Sequence, residues 1–253
     1  MPKHLSPAPP ELRPVGRRFR GERKVRLGDV TPEGRLRLDA LTRYTQDVSD
    51  DDTCDAGLAT DTGWVVRRTA VEIRHPATMA EQLSFTTHCS GLGRRWAERR
   101  LTVIGDLGGR YDVATLWICV DATTGRPRPL TEQFLEIYGE ATEGRQVSAR
   151  LGHPRPTPEV DRQPWPLRVV DFDTLNHVNN AAYWAVVEEV LDRDRPDGPY
   201  RASIEYRDGL SPGCRVTILS AAVGAAQGLW WTTDDGAVAA SGLIEPLPDR
   251  DSA

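Results

Sequence analysis

Apolar positions change period twice along this chain. Leu38, Leu41, Thr45 and Val48 recur at helical spacing and predict a helix over 38–57, its end frayed by Asp50, Asp51 and Asp52. After Gly63 the pattern turns to β-branched and aromatic runs, predicting strands over 64–74, 83–90, 95–104 and 111–120 with Gly-containing turns between them. Residues 114–120 are nearly all apolar, as in a strand covered on both faces. Upstream, 23–29 reads as a first strand and Thr31-Pro32-Glu33-Gly34 as a turn.

Prolines then interrupt the pattern. Pro154, Pro156, Pro158, Pro164 and Pro166 deny a helix or a central strand and mark a linker. Beyond it the same grammar returns. A strand is predicted over 166–171, and Val178, Ala182, Val186 and Val190 form one face of a helix ending near Arg193 to Pro196. Strands over 200–207, 215–223, 228–233 and 237–245 follow. Helix then strands, twice, predicts an α+β protein built by internal duplication. The expected divisions are a disordered tail 1–21, a first domain 22–142, a Pro-rich linker 143–165, a second domain 166–247 and a short tail 248–253.

Composition narrows the function classes. The chain has 253 residues, a net charge of −5 and an ordinary hydrophobic share of 39%, enough to build cores but acidic overall. That balance argues against nucleic-acid binding. No stretch reaches the length of a membrane span and no secretory segment is visible, so a cytoplasmic protein is expected. Cys54, Cys89, Cys119 and Cys214 are widely spaced, which predicts reduced, mostly buried thiols and no zinc site. Cys214 is expected to be a small buried hydrophobe rather than a nucleophile. Within 13–26, seven cations against Glu22 give a local charge of +6, readable as a docking patch for an acidic partner or as a solvated tail entering a strand. Arg94, Arg95, Arg99 and Arg100 around Trp96 offer further positive surface.

Chemistry concentrates in one place. Gly209-Leu210-Ser211-Pro212-Gly213 matches a hydrolase nucleophile elbow, but the next segment is rich in β-formers and no histidine follows His177, so it reads as a turn. The stretch Asp171-Phe172-Asp173-Thr174-Leu175-Asn176-His177-Val178-Asn179-Asn180 gathers carboxylates, amides and an imidazole ahead of the second helix. Such residues serve as caps. They also form a minimal kit for acyl transfer: a carboxylate to activate water or attack, an imidazole to orient it, and helix N-terminal N–H groups to hold an oxyanion.

This motif, followed by Ala-Ala-Tyr-Trp, resembles the second-domain active-site motif of acyl-ACP thioesterases. The similarity extends over roughly 22–247, through Tyr44-Thr45-Gln46-Asp47, Gly63-Trp64-Val65-Val66-Arg67-Arg68, Leu116-Trp117-Ile118-Cys119-Val120-Asp121, Thr124-Gly125-Arg126-Pro127 and Ile204-Glu205-Tyr206-Arg207. The resemblance implies two tandem hotdog domains, each a long helix wrapped by an antiparallel sheet, with the acyl chain in the first and catalysis in the second. It implies a place in fatty acid biosynthesis and hydrolysis of fatty acyl thioesters, with acyl carrier protein the expected carrier and coenzyme A the alternative. Asp173 is then general base or nucleophile, oriented by His177 and Asn176, and the N–H groups of Val178 and Asn179 are expected to bind the oxyanion. Two positions depart from the family. Leu175 stands where it places a catalytic Asn, and Gly209 where it places a Glu, with Asp208 beside it as an additional candidate. No cofactor is implied, and a homodimer stays open. The rivals are a hotdog-type hydratase and a non-catalytic acyl-binding protein.

Overall fold

The computed structural model describes residues 15–58 and 62–248. Ten strands form one antiparallel sheet: β1 Phe19–Lys24, β2 Thr62–His75, β3 Gln82–Leu92, β4 Trp96–Gly105, β5 Arg110–Asp121, β6 Asp161–Trp165, β7 Tyr200–Tyr206, β8 Val216–Val223, β9 Ala226–Thr233 and β10 Val238–Pro246. Their spatial order is β1-β3-β4-β5-β2-β7-β10-β9-β8-β6. Each half of the chain therefore supplies one continuous half of the sheet. The halves meet where β2 pairs with β7, from Arg68 opposite Glu205 to Ile73 opposite Tyr200.

A helix lies against the inner face of each half. α1, Leu38–Asp55, buries Leu38, Leu41, Thr45 and Val48, the positions its periodicity singles out. α2, Glu132–Tyr138, is a short helix that the periodicity does not reveal; its N-cap Thr131 accepts from the N–H of Phe134. α3, Trp184–Arg193, buries Trp184, Val186, Val187 and Leu191. α1 has no side-chain cap of its own. Glu188 of α3 supplies one, accepting the N–H of Leu38 at 2.5 Å while pairing with Arg35 through both oxygens. A carboxylate at a helix N-terminus satisfies an orphan donor and suits the dipole.

Several boundaries move. Residues 1–14 of the expected tail lie outside the described residues, but 15–21 are ordered: β1 starts at Phe19, and 27–29 is a 3-10 turn rather than strand. Gly16 is pressed so closely onto Ala141 that a Cβ there would meet its backbone at 2.4 Å. The expected strand 166–171 sits earlier, as β6, inside the predicted linker, and 169–171 is a 3-10 turn. β6 tolerates Pro164 because it is an edge strand whose far side needs no ladder bonds. The linker is tied to the outer face of the sheet: Glu205 accepts the N–H groups of Gly152 and His153, the His153 ring lies between Ser203 and Ser241, and Trp230 donates to the carbonyl of Pro154.

Candidate active site

The stretch from Asp171 is not a helix start but a folded-back loop. Phe172 and Val178 form an isolated antiparallel bridge, and the N–H of Asp173 donates to the carbonyl of His177 at 2.9 Å. One carboxylate oxygen of Asp173, Oδ1, accepts from the N–H groups of Leu175 at 2.9 Å and His177 at 3.3 Å, closing the turn. The other, Oδ2, accepts from no protein group among the described residues. Asn176 takes a left-handed φ of 60°, which asparagine tolerates better than most residues, and its side chain points to solvent. Leu175 is 70% exposed.

Asp173, Leu175, His177, Asn180, Tyr206 and Asp208 all line one cleft of about 570 Å³ at the seam between the halves. Across it stand Trp64, Val66, Arg67 and Arg95 from the first half. Asn176 is not among the lining residues, so of the expected catalytic trio Asp173 and His177 are brought together and Asn176 is not.

Asp208 reaches the cleft because β7 ends at Tyr206. Beyond it the N–H groups of Arg207 and Asp208 both donate to the carbonyl of Ala239, breaking the strand alternation. Gly209 lies against the His177 ring, where a Cβ would stand 3.2–3.4 Å from the ring atoms. The position that lacks the family's Glu is thus filled by the imidazole itself. Arg67 donates to the carbonyl of Tyr206 at 3.0 Å, and burial together with nearby Arg207 pulls its pKa below the ordinary arginine value. Burial raises the phenols of Tyr183 and Tyr206 above the ordinary tyrosine range, which keeps both neutral. Tyr206 donates to the carbonyl of Asn180 and accepts from the indole N–H of Trp184, each at 3.1 Å.

The oxyanion donors expected from sequence are occupied. The N–H of Val178 donates to Leu210 and that of Asn179 to the carbonyl of Asp171, both at 2.8 Å, and α3 begins only at Trp184. The N–H of Ala181 is taken by the Asn179 side chain, and that of Ala182 by the Asn179 carbonyl. The N–H of Asn180 finds no acceptor among the described residues, and its residue lines the cleft. Sequence reasoning stops one residue short, because the difference depends on carbonyls supplied by Asp171 and Leu210.

The expected cationic surfaces shrink. Arg17 pairs with Asp52 and Asp55, and Arg23 with Asp51, so part of the +6 segment is spent on α1. Arg99 and Arg100 are largely covered, leaving Arg94 and Arg95 exposed. Cys214 is exposed rather than buried, as is Cys54. Among the described residues no group of three His, Cys, Asp or Glu side chains is placed to hold a metal, and no helix is long and apolar enough to cross a membrane.

Comparison with known proteins decides the family. The sequence model of the acyl-ACP thioesterase N-terminal domain matches residues 16–138, and that of the C-terminal domain matches residues 155–241. The chain belongs to the acyl-ACP thioesterase family. An uncharacterized protein of Mycobacterium tuberculosis is 34% identical over 192 residues, covering 75% of this chain and 77% of that one. Among solved structures, the 12:0-ACP thioesterase from Umbellularia californica aligns with a TM-score of 0.75 at 19% identity, covering 92% of this chain and 98% of its own. A putative oleoyl thioesterase from Lactobacillus plantarum aligns with a TM-score of 0.73, also at 19% identity, covering 92% and 97%. These likenesses establish a shared fold, and family membership makes thioester hydrolysis the chemistry of this chain.

Proposed function

We propose that this acyl-ACP thioesterase family member releases free fatty acid from acyl carrier protein, its two halves being tandem hotdog domains with catalysis in the second. The observation that carries the reading is the free Oδ2 of Asp173 in the same cleft as the unoccupied N–H of Asn180. In this scheme Asp173 takes a proton from a water molecule, and the hydroxide attacks the thioester carbonyl. The N–H of Asn180 donates to the oxyanion. Collapse breaks the C–S bond and the thiolate recovers the proton from Asp173; with a thiol pKa of about 8.5 it leaves with little acid assistance. His177 packs beside Asp173 and orients the water. Asp208 faces the same space and lends a second carboxylate.

The acyl chain has somewhere to go. A chamber of about 360 Å³ opens between α1 and the sheet of the first half, lined by Leu58, Trp64, Cys89, Ala97, Trp117 and Phe134 among others. Trp64 borders both chamber and cleft, so the two spaces adjoin at its ring.

The test is endpoint thiol release on acyl-ACP and acyl-CoA of matched chain length. Asp173→Asn is expected to lower kcat by roughly 10²–10⁴-fold, the usual worth of a positioned general base. A variant as fast as the parent sinks the mechanism. Free acid as product supports hydrolysis, whereas a 3-hydroxyacyl thioester would mean a hydratase. Leu175 and Gly209, where relatives carry catalytic side chains, motivate a second reading as an acyl-binding protein; fatty acid protection against heat without any thiol release would establish it.

A further inference from the structure

The sheet face under α1 changes character within a single row of residues. On the chamber side, Val66, Trp117 and Ala97 stand in register on β2, β5 and β4. On the core side, Val71, Val113 and Leu101 stand in register and are fully packed. Between these apolar rows runs a polar one: Thr69 opposite Thr115, Thr115 opposite Arg99, with Thr87 of β3 accepting from Arg99 at 3.3 Å. Thr69 and Thr115 bond each other at 3.4 Å. From the helix side, Thr45 and Ser49 cover this row with hydroxyls bonded back to the α1 backbone. Asp52, 1% exposed, closes it by pairing with Arg99 and Arg17 and accepting from Tyr138 at 3.0 Å.

We infer that this buried belt sets the upper limit of acyl chain length where Arg99 and Ser49 line the chamber, with Asp52 behind them as the buried partner of Arg99, so that the chamber ends there in charge rather than in hydrocarbon. The inference rests on the reading of the chamber as the acyl site. An apolar core of Leu and Val can yield to an extra methylene by shifting rotamers. An ion pair cannot, because a methyl group driven into it strips a buried charge of its partner, a large penalty. The belt is therefore a hard stop, and activity should fall abruptly, not gradually, beyond one chain length.

The experiment is a profile of kcat/KM across even-numbered saturated acyl thioesters for the parent, D52L/R99L and A97L. Replacing a buried pair by apolar residues of smaller or similar volume is commonly tolerated. In D52L/R99L two further carbons gain burial, and the ratio for the next longer substrate over the parent optimum should rise about tenfold. Ala97→Leu fills the chamber side of the belt and should move the optimum shorter. A folded D52L/R99L with the parent ratio overturns the belt as the stop. Should that variant not fold, an unchanged A97L profile does the same. Thermal shifts with free fatty acids of the same lengths read the chamber without turnover: if no chain is hydrolysed but stabilisation still breaks at one length and moves in the variants, the hydrolase reading fails while the belt stands.

Discussion

In the proposed scheme Asp173 divides its labour between two oxygens, Oδ1 holding the loop and Oδ2 left for chemistry. Asparagine keeps an acceptor for the N–H groups of Leu175 and His177, so Asp173→Asn should retain the parent Tm within about 1–2 °C while losing turnover, and Asp173→Ala should lose both; melting curves beside thiol release separate the roles. Gly209 makes a subtler case. Gly209→Ala crowds the His177 ring by a few tenths of an ångström. A displacement of that size is expected to cost about three- to tenfold in kcat with KM little changed, measured by steady-state thiol release. At this scale the motif leads to Asp173 and His177, which the structure brings into one cleft. Asn180 cannot be found that way, because the role proposed for it belongs to a backbone N–H, and which N–H remains free is settled by carbonyls of residues 171 and 210.

Among the elements, α1 depends on α3 for its first turn. Glu188 is 8% exposed and holds both Arg35 and the N–H of Leu38. Glu188→Ala strands a buried guanidinium, a change worth about 3 kcal/mol, and should lower Tm by roughly 6–12 °C in thermal denaturation. Arg35→Ala alone should cost less, since Glu188 keeps its helix-capping bond. The helices were read well where apolar residues recur, as at Leu38, Leu41 and Val48. The periodicity puts the start of α3 six residues early because Val178 is buried for another reason: it anchors the loop by donating to Leu210. The strand expected over 166–171 lies five residues earlier as β6, because Pro164 argues against a central strand and nothing local says that this strand lies at an edge.

The whole molecule carries a pH dependence in its buried imidazoles. Burial, reinforced by Arg18 and Arg100, lowers the His88 pKa from 6.5 to about 4, and burial likewise lowers that of His153. Depressed histidines favour the folded state above their unfolded pKa, so stability is full above about pH 6.5 and is lost as pH falls toward 4. Tm should be flat from pH 7 to 8 and decline below 6.5; His88→Asn should shallow the decline, and an equal slope in parent and variant would remove His88 as its source. The doubling of the fold was legible from helix-then-strands order, whereas the seam was not, because β2 and β7 lie far apart in sequence. That seam has a consequence for assembly. The halves are joined by a strand ladder and a buried helix contact, with the covalent connection laid over the outside as a strap. The peptide link acts chiefly as a tether that raises effective concentration. Cleaved between β5 and β6, the two pieces would behave as a heterodimer, and the single chain is in that sense a fused pair.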